Sequence, residues 1–207
     1  MLRLNRTKIF FITGIALTLT LAAGLAYTFK LPPFKKRGEI RAEDVCASLG
    51  NASRAATALT GVLPEKSSYS FQDNATDLRT DESDDFYQTA CFVYGDGKQL
   101  LVARTDMLEY ETTERWQKEA VEQFVSASSI LPFAAGDKAV ASDKIAAIYV
   151  PCASHGIRRH LSVVVRLKKQ GDASASDLRA KLIDLAENAA VHAHMKAKCD
   201  RPSKLRE

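Results

Sequence analysis

The side chains best equipped for chemistry lie in the second half of the chain. Ser154 stands beside His155, His160 follows closely and Asp137 precedes them, so a nucleophile, a base and an acid for acyl transfer are present if the fold gathers them. No Gly-x-Ser-x-Gly elbow, no His-Glu-x-x-His and no phosphate-binding glycine loop accompanies them. The same stretch reads Cys152-Ala-Ser-His155, a spacing that suits a metal, and His192, His194 and Cys199 form a second group. A zinc signature pairs two short ligand clusters, whereas this second group is stretched over eight residues. His155 reads as a solvated turn residue, and His192 and His194 as packing and surface residues of a helix. No catalytic residue, metal or cofactor is therefore expected.

The four cysteines, Cys46, Cys91, Cys152 and Cys199, form the other constellation. Their even number suits two disulfides in an oxidising compartment. Three pairings are open. Cys46 with Cys91 and Cys152 with Cys199 is the expected one, because each bond would staple a helix to a strand within its own half. By the chain-entropy model a loop of this length is worth about 4 kcal/mol.

All four lie beyond an apolar run at residues 9–29, IFFITGIALTLTLAAGLAYTF, which carries no charge. A helix rising about 1.5 Å per residue would carry such a run across roughly 30 Å of hydrocarbon. Arg3, Arg6 and Lys8 precede it, while Lys30, Lys35, Lys36 and Arg37 follow, so flanking charge leaves the orientation open. The cysteines tip it: residues 1–8 are expected in the cytoplasm, 9–29 as a signal-anchor, 30–38 as a basic linker and 39–207 outside. The rival is a secreted form, cleaved near Ala26 in Gly24-Leu25-Ala26.

The formal net charge of +4 belongs to the amino terminus. Residues 1–38 hold seven cations and no acid, which leaves 22 cations against 25 acids in residues 39–207. A slightly acidic body argues against nucleic acid as a partner. Within that body, residues 39–115 are net −8 and residues 116–207 net +5. Arg158, Arg159, Arg166, Lys168 and Lys169 are the candidates for a basic patch facing an envelope protein, lipid headgroups or an anionic wall polymer.

The positioning elements follow from periodicity. Val45, Leu49, Ala52, Ala56 and Leu59 recur at helical spacing, with a weak point at Gly50, until Gly61 and Pro64 stop the helix. Residues 65–86, rich in Ser, Asp, Asn and Thr, read as a loop with an acidic cluster at 81–85. Residues 90–94 and 99–103 flank Gly95-Asp96-Gly97 and predict a hairpin. A helix over 113–126 should bury Trp116, Ala120, Phe124, Val121 and Val125. Two strands over 136–141 and 144–150 and a third over 161–168 follow, the last with one buried and one largely wet face. An amphipathic helix to Lys198 closes the chain. These elements predict an α+β fold, an antiparallel sheet packed by helices as an α/β sandwich, preceded by one amino-terminal transmembrane helix.

With Asp44-Val45-Cys46-Ala47-Ser48-Leu49 opening the body, Cys91 on the first strand, Gly136-Asp137-Lys138-Ala139 before the next hairpin and Cys199 at the end, residues 43–200 resemble small secreted or membrane-anchored cell-envelope proteins of actinobacteria. Some of that kind look like PsbP-like α/β/α sandwiches without an assigned activity. The resemblance implies a fold and a compartment, and it carries over no catalytic residue. The expectation is a non-catalytic extracytoplasmic binding or interaction domain held at the membrane; the alternative is a cell-envelope hydrolase with a dispersed Ser/His site.

Overall fold

Alternation of apolar and polar side chains is what lets a strand bury one face, and the chain uses it repeatedly. The computed structural model describes residues 37–76, 86–109, 111–152 and 159–205, together with Thr28. Its strands are β1 (Tyr69–Thr76), β2 (Gln88–Gly95), β3 (Lys98–Glu109), β4 (Leu131–Pro132), β5 (Lys138–Ala141), β6 (Ile145–Pro151) and β7 (Arg159–Leu167). They form one antiparallel sheet in the order β1-β2-β3-β7-β6-β5-β4. Two meanders are thus joined where β3 meets β7. The fold is α+β, as expected. Asp96 and Gly97, with φ of 48° and 74°, make the turn between β2 and β3.

Helices α1 (Ala52–Val62) and α3 (Ala175–Lys196) cover one face of the sheet. Asn51 caps α1 by accepting the Arg54 N–H at 3.0 Å, and Ser174 caps α3 by accepting that of Asp177 at 3.2 Å. Their Leu59, Val62, Leu178, Leu182 and Leu185 fill the main core with Cys91, Val93, Leu101, Ile148, Val150, Leu161 and Val163. Each such side chain is worth roughly 1.5–3 kcal/mol when fully buried. A smaller core lies on the opposite face, where Trp116 and Val121 pack on Val140, Ile145, Ala147 and Tyr149. Every residue of β6 is buried because its alternate side chains enter different cores.

Four expectations need correction. The helix predicted over 43–59 is broken into single turns at Ala42–Asp44 and Ala47–Leu49 before α1 begins. The closing helix causes the break. Gly50 sits at φ +83° against the Asn188 carbonyl, where a Cβ would come within 2.5 Å. The Asn188 amide donates to the carbonyls of Leu49 (2.6 Å) and Asn51 (3.0 Å), and its Oδ1 accepts the Asn51 N–H at 3.0 Å.

The loop read over 65–86 contains β1, an edge strand whose ladder partner among the described residues is β2. Its exposed Ser70, Gln72 and Asn74 concealed it, since an edge needs little apolar character. The acidic cluster at 81–85 lies outside the described residues. The helix predicted over 113–126 is α2 (Thr113–Gln117) followed by a π turn at Lys118–Glu122. A wider turn aligns residues five apart, which brings Trp116 and Val121 into the same core. Lastly, the second face of β7 is only partly wet: Ser162 is 5% exposed and accepts the Trp116 indole N–H at 2.8 Å, while His160, Val164 and Arg166 are half-buried.

Both expected disulfides form, Cys46–Cys91 and Cys152–Cys199. Each joins residues outside the helix bodies to the sheet, since Cys46 precedes the Ala47–Leu49 turn and Cys199 follows α3. Residues 38–207 form one compact unit, and all of the core and both disulfides lie within it. Among the described residues, neither the core nor the disulfides draw on any residue before Gly38. Among the described residues no helix is long and apolar enough to cross a membrane; the expected span at 9–29 lies outside them apart from Thr28.

Replacing Asn188 by Ala removes the partner of the Asn51 N–H and of the buried Leu49 carbonyl, while the Asn51 carbonyl keeps the Ala55 N–H. The expected loss is about 3 kcal/mol, measured by urea unfolding of residues 38–207. A loss no larger than that of an exposed alanine substitution would show that the break at Gly50 does not depend on Asn188.

Candidate functional site

Strand register assembles a site that no local motif announces. Over residues 88–92 of β2, 102–108 of β3 and 160–166 of β7 the even-numbered side chains share the second face of the sheet, and pairing lines them up in rows. Phe92 stands opposite Val102, which stands opposite Arg166. The next row is Asn74, Ala90, Arg104 and Val164, and the one after it Gln88, Asp106 and Ser162. Rows lie about 7 Å apart, two residues along a strand. Helix α2 and the π turn cover β6 and part of β7 on this face, and the rows toward β1 line an open cleft of about 560 Å³. Ala120, Gln123 and Phe124 form its wall. The volume lies in the range of small-molecule sites.

The two cleft arginines differ. Arg104 Nε donates to Asp106 Oδ2 at 2.7 Å and to Oδ1 at 3.0 Å, and Gln88 donates to the same carboxylate at 2.6 Å. That charge is answered within the protein. Arg166 instead lies over the Phe124 ring, its guanidinium carbon 3.7 Å from the centroid. Among the described residues it has neither an ion-pair partner nor a side-chain hydrogen bond. Burial lowers its pKa, as expected for a cation that has given up water without gaining an anion.

A second cluster sits at the β5 end of the sheet. His160 Nε2 lies 3.0 Å from Asp137 Oδ2, Lys204 Nζ donates to Asp137 Oδ1 at 2.6 Å, and the imidazole stacks on Tyr149 with centroids 4.0 Å apart. Tyr149 in turn packs against Trp116 and donates to the Glu111 carbonyl at 2.7 Å. Burial alone would raise the Asp137 carboxyl, yet the hydrogen bonds from Lys204 and His160 outweigh it and hold the group below the usual carboxylate range. Burial, with the charges of Glu111 and Asp137, pushes the Tyr149 phenol up. The pair matches the acid and base read from the sequence, whereas Ser154 and His155 lie outside the described residues. Among the described residues no cluster of three or more His, Cys, Asp or Glu side chains could hold a metal ion.

The expected basic patch does not stay together. Arg158 lies outside the described residues. Arg159 is 2% exposed, its guanidinium 3.0 Å from Glu109 across the β3/β7 ladder, so burial removes it from any docking surface. Arg166 points into the cleft, and Lys168 and Lys169 are exposed just past the end of β7. Arg159 and Arg166 are seven residues apart, hence on opposite faces of the strand. Sequence reasoning missed Phe92, Arg104, Asp106 and the cleft role of Phe124. The alternation of Gln88, Ala90 and Phe92 with buried Thr89, Cys91 and Val93 was readable, but not the register that sets it beside Arg166.

Comparison of the chain with protein-family models, with curated proteins and with solved structures finds no match.

Because its folded pKa is depressed, Asp137 stabilises the fold above the unfolded value of about 3.9, and that stabilisation is lost as pH falls through the folded value. Asp137→Asn should therefore be less stable than wild type at pH 7, with the gap closing at a pH well below the unfolded value of about 3.9. Urea unfolding at both pH values measures it; an equal gap at both would show that the carboxylate charge is not what matters.

Proposed function

We propose that the chain is a membrane-anchored extracytoplasmic binding domain, with residues 9–29 as signal-anchor, the amino terminus inside, and the open sheet-face cleft as its binding element. The cleft carries the reading: a half-apolar concavity with a cation left unanswered, Arg166, in a domain whose other buried polar groups are largely matched. Two disulfides support an oxidising compartment. The likeness to actinobacterial envelope proteins agrees with that compartment, and a soluble form cleaved near Ala26 would keep the same cleft.

The second reading, an envelope hydrolase, draws on the His160–Asp137 pair at 3.0 Å. It requires a nucleophile such as Ser154 to reach His160. Hydrolysis of ester, peptide or glycan substrates by residues 38–207, abolished in His160→Ala, would favour it over the binding reading.

Two measurements test the binding reading. In spheroplasts, added protease should digest the body of the full chain; a protected body would place it in the cytoplasm and sink the topology. Residues 38–207 incubated with a small-molecule extract of the envelope should retain a ligand in native mass spectrometry, and Ala90→Trp, which fills the cleft floor, should abolish retention. No retained mass, or one indifferent to Ala90→Trp, would sink the cleft.

A further inference from the structure

We infer that the cleft takes an amphipathic monocarboxylate, its carboxylate on the Arg166 guanidinium and its apolar body laid over Val102 and Phe92. The inference rests on the binding reading above and adds the class of ligand.

Charge balance sets the anion's valence. Of the two arginines in the cleft, Arg104 is spent on Asp106, which also holds Gln88. One positive charge remains, and one negative charge answers it. A polyanion would need further cations, and Lys168 and Lys169 stand outside the lining.

Geometry sets the kind of anion. Phe124 lies against the guanidinium, its ring centroid 3.7 Å from the guanidinium carbon, and supplies no hydrogen-bond acceptor, so the N–H groups remain to donate. A planar fork of donors matches a planar carboxylate through two parallel hydrogen bonds. The anion would also restore the solvation that the half-buried cation has lost.

The row through Arg166 sets the body. Its next members are Val102 and Phe92, so the surface leading away from the cation across β3 and β2 is apolar for about 10 Å, two strand spacings. The neighbouring row adds Ala90 and Val164. The backbone groups beneath are engaged in the ladders, so an occupant is recognised by side chains and not by strand addition. An alkyl or flat ring system fits that row.

Trp116, the one tryptophan of the chain, donates to Ser162 at the cleft margin and serves as reporter. Decanoate, decanol, decyltrimethylammonium and decyl phosphate are titrated into residues 38–207 and followed by Trp116 fluorescence and calorimetry. Decanoate should saturate, with decanol and the ammonium at least about tenfold weaker, a difference of about 1.4 kcal/mol. Arg166→Gln should weaken decanoate about tenfold and leave decanol unchanged, while Lys168→Gln changes neither. Should Arg166→Gln not fold, Arg166→Lys keeps the charge without the fork, and a severalfold loss is expected. Decanol binding as well as decanoate, decanoate indifferent to either Arg166 substitution, or decyl phosphate binding tenfold tighter than decanoate would each overturn the class. If none of the four binds while the envelope extract still yields a ligand lost in Ala90→Trp, the class falls and the cleft stands.

Discussion

The structure depends on the pairing of β3 with β7, in register from Leu101 opposite Leu167 to Glu109 opposite Arg159. Each strand belongs to a meander that covers little apolar surface alone. Joined, they make a seven-stranded sheet broad enough for α3 to lie across β6 and β7 with α1 beside it. The same register brings β2 and β3 side chains next to Arg166, so fold and cleft rest on one ladder. A slip of one residue would exchange the faces of β7 and send Arg166 toward the main core.

Two arginines on that strand show how one residue type is accommodated differently by face. Arg159 gives up its water almost entirely and is compensated by Glu109 across the ladder and by contact with Met107. Arg166 keeps some exposure and is held by an aromatic ring. The first neutralises a charge locally, as buried ions in stable folds generally are. The second leaves a charge aimed at solvent in a concave site, where field lines concentrate.

Much of the fold was legible because its signals are local. The Asp-Gly turn, the apolar run of β6, the alternation in β7, the amphipathic closing helix and both cysteine pairs could be read without knowing what lies opposite. β1 was lost because an edge strand may be polar without cost, and the π turn because helical periodicity assumes a fixed number of residues per turn. The break at Gly50 was marked by its glycine, but its cause, Asn188, lies far along the chain. The cleft was illegible for the same reason: Phe92, Arg104 and Arg166 become neighbours only through register, which follows from the completed sheet.

The covalent bond between Cys46 and Cys91 also defines how the domain bears load. The chain enters the body at Gly38, whose N–H donates to the Lys66 carbonyl at 2.7 Å, and reaches Cys46 soon afterward. Tension applied through the amino terminus can peel residues 38–45 from the surface, but it then meets a sulfur bridge to the interior strand β2. Beyond that point force is spread over the β1 and β3 ladders acting in shear, instead of opening the Asn188 contacts one after another. A domain tethered at that end would keep its cleft intact while its first turns give way as a mechanical fuse.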